Sequence, residues 1–178
     1  MPEDIDPESN DDMSNPPAFF PLGNDRPNKE QDREVRVEIE GFYDLENPAQ
    51  PVQRVIVLID ETGRTVRMVI GAVEWLSIQM AKENDYPDRP LTHDLIRNIL
   101  DRLGFTVDRI LIDDLWHDVF YAKIFLHRGE EMIEIDSRPS DAIAMATRYG
   151  APMYMSESVL EATQGVDEGE DEGEEEEP

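Results

Sequence analysis

Between Ile133 and Gly150 the apolar period changes from two residues to 3.6 across one polar turn, and this switch most restricts what the chain can build. Ile133 and Ile135 alternate with Glu134 and Asp136, as in a strand with one wet face. Ala142, Ile143, Ala146 and Tyr149 then recur at helical spacing. Ser137 is placed to cap that helix, Pro139 suits its first turn, and Gly150 suits a left-handed stop. Asp136, Arg138, Ser140 and Asp141 crowd the junction. A helix start offers bare N–H groups and a positive dipole end, which is a natural place for an anion or phosphate. The same side chains also read as caps plus an Arg138–Asp136 pair, and the residues alone favour that plainer reading.

The preceding chain sets the layers. Val35, Val37 and Ile39 alternate with charged residues, and Val55-Ile56-Val57-Leu58-Ile59 is short and apolar enough to be a central strand. Asp60-Glu61-Thr62-Gly63 reads as a hairpin turn into Val66, Met68 and Ile70. Ile70-Gly71 opens a helix to about Glu83 that is apolar almost all round, which predicts burial by the sheet and by a second copy of the chain. After the Arg89-Pro90 loop, Thr92 reads as the cap of a second helix, with Leu95, Ile99, Leu100 and Leu103 as its buried stripe and Gly104 as its stop. Val107–Leu115 and Val119–His127 read as a hairpin turning at Trp116-His117-Asp118. Asp113-Asp114 on that hairpin can bind a divalent cation or stand in water. A short strand at Pro152–Met155 and a last helix from Ser156 follow. This order predicts a single α+β domain with a mixed or antiparallel sheet and packed helices.

Charge and composition narrow the function. The net charge is −26. Residues 1–32 hold nine acids against two bases, residues 165–178 hold nine acids and no base, and the body at 33–164 keeps ten negative charges. Both ends read as disordered acidic tails, with Phe19-Phe20 the one aromatic pair in the first. Such a charge repels nucleic acid in bulk, so any phosphate ligand needs a local basic patch or a bound metal. The chain has no cysteine, hence no disulfide and no thiolate nucleophile or ligand. No apolar run reaches the length of a membrane span and no secretory leader is visible, so a cytoplasmic protein is expected.

Three segments together are familiar: Met68-Val69-Ile70-Gly71 with Glu74, Arg89-Pro90-Leu91-Thr92-His93-Asp94-Leu95, and Asp136-Ser137-Arg138-Pro139-Ser140-Asp141-Ala142-Ile143. With Phe120-Tyr121-Ala122 between them and Gly150-Ala151-Pro152 after them, the chain resembles the bifunctional nuclease domain family, small bacterial proteins with plant relatives. The resemblance covers about residues 35–162. It implies an α+β fold, often dimeric, and DNase and RNase activity. Trp75 and Ser77 stand where the family usually has small residues.

Two functions follow for testing. In the first, a nuclease, His93 is the candidate general acid or base, Arg138 the phosphate clamp with Ser140 and Arg89 as further substrate contacts, and Asp94, Asp141 and Glu74 complete the catalytic set. Asp136, Asp141 and Glu74, with Asp94, are candidate ligands for Mg²⁺ or Mn²⁺, which would offset the acidic body. The junctions at Gly71–Glu74, Thr92–Asp94 and Asp136–Asp141 are then expected on one concave surface. In the second, the domain is a non-catalytic binding or regulatory module, as the acidic body suggests.

Overall fold

The structure, a computed structural model, describes residues 32–46 and 51–164. The expectations for residues 1–31, for the loop at 47–50 and for the tail at 165–178 lie outside these. Seven strands and four helices follow one another as β1 (Glu34–Leu45), β2 (Gln53–Asp60), β3 (Thr65–Ile70), α1 (Ala72–Glu83), α2 (Thr92–Leu103), β4 (Thr106–Trp116), β5 (Val119–Arg128), β6 (Glu131–Ser137), α3 (Pro139–Tyr149), β7 (Met153–Ser156) and α4 (Glu157–Gln164). The strands form one sheet in the order β3-β2-β1-β7-β4-β5-β6. Every pairing is antiparallel except β4 with β7, so the sheet is mixed and the domain α+β.

The period-two runs became strands because one face of each is covered. Ile56, Leu58, Val66, Met68, Ile110 and Ile112 sit in the core with Val37, Ala122 and Met155. α3 lies across this face. Its Ala142, Ile143, Ala144, Met145 and Ala146 are all buried, and the small alanines let the helix approach the strands closely. Its cap is Arg138 rather than Ser137, which is the last residue of β6 and donates its hydroxyl to the Arg138 carbonyl. Pro139 opens the helix and Gly150, at φ +63°, ends it. At the far side, Asp60 gathers the β2–β3 turn: it accepts from Thr62 N, Thr62 Oγ1, Arg64 N and Arg64 Nε at 2.7–3.0 Å. Burial opposes its ionisation, yet those bonds outweigh it and hold the carboxyl at about 2. Arg64 also pairs with Glu157, tying α4 to this turn.

Three further expectations need correction. The stripe Leu95, Ile99 and Leu103 of α2 is exposed, and only Leu100 reaches the core. α2 lies on α3 by its polar edge instead, where Asp94 meets Arg148 and Asp101 meets the Tyr149 hydroxyl, so the apolar stripe turns outward. Leu91, not Thr92, is the cap residue, and its N–H is taken by Asp94 Oδ2 at 2.9 Å. Trp75, the departure from the family pattern, packs edge-on to Phe42 with Arg54 over its ring. Asp113 and Asp114 do not stand in water, because a strand irregularity at this point leaves Asp114 buried and Asp113 paired with Lys123.

Candidate active site

The first turns of α1, α2 and α3 bring Glu74, His93 and Asp141 together, and Asp141 is the hub. Its Oδ1 lies 3.0 Å from His93 Nε2 and accepts Arg138 Nη2 at 3.0 Å, while Oδ2 accepts Arg138 Nε at 2.6 Å. Arg138 Nη2 also donates to Glu74 Oε1 at 2.7 Å. The three helix starts therefore meet through Glu74, His93 and Asp141, but not on the one concave surface expected: of the three junctions only Gly71 and Arg138 to Ser140 line the neighbouring groove. Burial would raise the Asp141 carboxyl, but the bonds from His93 and Arg138 prevail and hold it at about 2. Asp141 and Glu74 in turn push the Arg138 guanidinium further up, so it stays charged at any working pH. Glu74 reaches this position because Gly71 has no side chain: a Cβ there would stand 2.2 Å from Glu74 Oε2.

The network continues inward through Ser77 and Arg148, neither of them a candidate site residue, to Asp94. His93 Nδ1 lies 2.9 Å from Ser77 Oγ, and Arg148 Nη2 donates to that same hydroxyl at 2.9 Å. Arg148 Nη1 donates to the Ser77 and Ala144 carbonyls, and Arg148 Nε to Asp94 Oδ1 at 2.7 Å. Every proton finds an acceptor if Ser77 donates to Nδ1 and the Nε2 proton goes to Asp141. Serine, histidine and aspartate in contact suggest nucleophilic chemistry, but Ser77 is buried and already receives Arg148, so no substrate reaches it. Arg148 missed notice because a basic residue in a last helical turn usually serves the dipole. Its half-buried neighbour Asp94 is likewise structural here: burial opposes its charge, while Arg148 and the Leu91 N–H hold its carboxyl below the usual range.

Outside this network lies a groove of about 480 Å³, lined by Arg67 to Gly71 at the end of β3, Asp118 to Phe120 after the β4–β5 turn, and Arg138 to Ser140 at the start of α3. β3 and β5 are five strand spacings apart, some 24 Å on a flat sheet at roughly 4.8 Å each. That both line one groove means the sheet curls strongly around α3. Arg138 stands at the boundary with its side chain 65% exposed, and Ser140 is buried beside it. His93 is closed off, its side chain 8% exposed and both ring nitrogens engaged. Of the predicted site residues Arg138 and Ser140 line this groove, Glu74, His93, Asp94 and Asp141 lie in the network beside it, and two are part of neither. Asp136 is exposed on β6, in register with Lys123, and Arg89 is exposed on the α1–α2 loop; neither lines the groove.

The metal expectation does not fit this arrangement. Among the described residues no group of three or more His, Cys, Asp or Glu side chains is placed to hold a metal ion. The Arg138 guanidinium itself fills the space between Glu74 and Asp141 where a divalent cation would bind. Among the described residues, no helix is long and apolar enough to cross a membrane.

Comparison with known proteins agrees with these elements. An uncharacterized protein of Mycobacterium tuberculosis is 37% identical over 113 residues, which is 62% of this chain and 67% of that protein. Bifunctional nuclease 1 of Oryza sativa subsp. japonica is 30% identical over 109 residues, 58% of this chain but 33% of its own length. Bifunctional nuclease 1 of Arabidopsis thaliana is 25% identical over 105 residues, 57% of this chain and 32% of the relative. The match thus spans about a third of each of these two plant proteins. The family model described as the bifunctional nuclease domain matches residues 56–168, from β2 beyond α4, and the chain belongs to the bifunctional nuclease domain family.

Proposed function

We propose that the chain hydrolyses phosphodiester bonds of DNA or RNA in the groove beside Arg138. The observation that carries this reading is one exposed guanidinium, held at a helix start by Asp141 and Glu74, on the rim of a groove that also contains Arg67. A phosphodiester bound there competes with Glu74 for Arg138 Nη2. Asp141, whose two-point contact is the stronger, keeps the guanidinium in place. Glu74 is thereby released next to the phosphate and takes a proton from the attacking water. Arg138 and the α3 N–H groups stabilise the charge that builds on the phosphoryl oxygens, and the leaving oxygen is protonated from water in the open groove. His93 is a positioning residue in this scheme: it fixes Asp141 through Nε2 and is itself fixed by Ser77.

Cleavage of labelled single-stranded DNA and RNA by the purified chain tests the reading. Arg138→Ala and Glu74→Gln should each lower the rate by about 10²-fold or more. Full activity in Arg138→Ala would remove the clamp, and no cleavage by the native chain under any condition would remove the reaction. A second reading, a binding module, is favoured by the internal pairing of Arg138 and His93; it predicts oligonucleotide binding without turnover.

The homodimer expected through α1, whose Val73 and Leu76 are exposed, also remains a proposal, and a second apolar surface is available to it. Leu95, Ile96, Ile99 and Leu103 form an exposed stripe on α2, flanked by Arg97, Asp101 and Arg102. Both charge signs beside one apolar stripe suit a two-fold contact in which the same patch meets itself.

A further inference from the structure

Ser140 has no structural task in the fold. It sits in the first turn of α3, where a short polar side chain usually serves the helix's free N–H groups, yet α3 has no side-chain cap. Asp141, the other residue able to serve there, is spent on His93 and Arg138. Ser140 is 8% exposed, and among the described residues its hydroxyl meets neither donor nor acceptor. Among those residues, the side-chain atoms both sealed from solvent and unpartnered are Trp75 Nε1 and Asp113 Oδ1. The Ser140 hydroxyl is thus unpartnered without being sealed, and the groove is the space that Ser140 borders. Burying such a group without a bond weakens the fold.

The backbone repeats the pattern. Pro139 brings no N–H, and the N–H groups of Asp141 and Ala142 both turn to the Arg138 carbonyl, at 3.1 and 3.0 Å. Among the described residues the Ser140 N–H is therefore the donor this helix start leaves over, on the same residue as the open hydroxyl. Arg138 keeps Nη1 in reserve, because Nε and Nη2 carry its bonds to Asp141 and Glu74. Those two carboxylates more than cancel the guanidinium, so nothing here draws an anion by net charge. Direction takes its place: Ser140 Oγ, Ser140 N and Arg138 Nη1 are donors on two residues of one groove wall, at the positive end of an 11-residue helix.

We propose that Ser140 is an oxyanion seat in the groove, its hydroxyl and N–H donating to a non-bridging oxygen of a phosphodiester whose other oxygen meets Arg138 Nη1. This rests on the reading of the groove as a phosphodiester site and names the residue that holds the phosphoryl oxygen there. Ser140 is a donor and not a nucleophile, because no base is bonded to its hydroxyl. A buried hydroxyl kept without a partner, at a cost to stability, fits a group reserved for a ligand.

Ser140→Ala tests this, since a structural hydroxyl and a ligand hydroxyl predict different signs. Alanine removes the unpartnered group and keeps the helix start, so Tm should stay level or rise. Fluorescence anisotropy of the full chain with a labelled dT dodecamer reads binding from the initial signal and cleavage from its decay. Ser140→Ala should weaken binding of this strand about tenfold, the worth of one hydrogen bond to a charged group. A methylphosphonate dodecamer, which lacks one non-bridging oxygen at each linkage, should bind the native chain and Ser140→Ala equally. Unchanged affinity for the phosphodiester strand in Ser140→Ala, an equal loss on the methylphosphonate strand, or a fall in Tm that matches the loss of binding overturns the proposal. Inorganic phosphate that displaces the strand at micromolar concentration in a Ser140-dependent way would assign the seat to free phosphate and also overturn it. Ser140-dependent binding without decay keeps the seat and removes the hydrolysis, whereas decay at the native rate in Ser140→Ala does the reverse.

Discussion

Gly71 decides where Glu74 can go. Its backbone, at φ −67° and ψ 154°, is one any residue adopts, so an alanine there strains nothing in the chain itself. The added Cβ instead evicts the Glu74 carboxylate from Arg138. Gly71→Ala should therefore leave Tm within about 4 °C of the native value while lowering cleavage roughly 10²-fold, the cost of a misplaced catalytic group. A matched loss of Tm would show a role in folding instead. Asp141 makes a separate prediction. Its carboxyl titrates at about 2 when folded against 3.8 when free, so its contribution is complete above about pH 4 and disappears as pH falls from 4 to 2. Urea unfolding across that window should show a loss of roughly 2 kcal/mol from this group, and Asp141→Asn should flatten the slope. Asp60 titrates in the same window, so part of the slope should survive that substitution.

At the scale of elements, α1, α2 and α3 are pinned to one another by a buried cation. Arg148 ties Asp94, in the first turn of α2, to the α1 residue Ser77, and its side chain is fully enclosed. Arg148→Met leaves the Asp94 carboxylate unpaired and should cost about 3–5 kcal/mol in denaturant unfolding. Adding Asp94→Asn should recover part of this by removing the orphaned charge, and no recovery would place the loss in packing. These elements also show what a sequence can and cannot reveal. The strands were legible because alternation has one physical meaning when one face is covered. α2 was not: an apolar stripe looks identical whether it meets a core or points outward, and what settled it was polar partners on α3 distant in sequence. Asp94 and Asp141 were equally acidic, equally placed in first turns and equally plausible at a site. Only the folded partners separate them, one closed in by Arg148 and the other joined to an exposed Arg138. The meeting of the three helix starts was foreseeable because sheet connectivity gathers such ends at one edge, whereas Ser77 stood out only as a departure from the family pattern and Arg148 as an ordinary last-turn base.

Across the whole molecule, the exposed stripe on α2 leads to an assembly prediction. Ile99→Glu should shift the chain from dimer to monomer in sedimentation at micromolar concentration, with the groove residues untouched. A native chain that sediments as a monomer there would end the proposal. The sheet carries one further consequence. β1, β2 and β3 form one antiparallel meander and β4, β5 and β6 another, each built from neighbours in sequence and so able to form early. The two are joined by β7, four residues pairing with β1 on one side and β4 on the other. Until Ser156 has left the ribosome, both inner strands offer open edges to any passing chain. A nascent chain arrested after Gly150 should accordingly aggregate, and emergence of β7 should act like the closing of a zip between two finished halves.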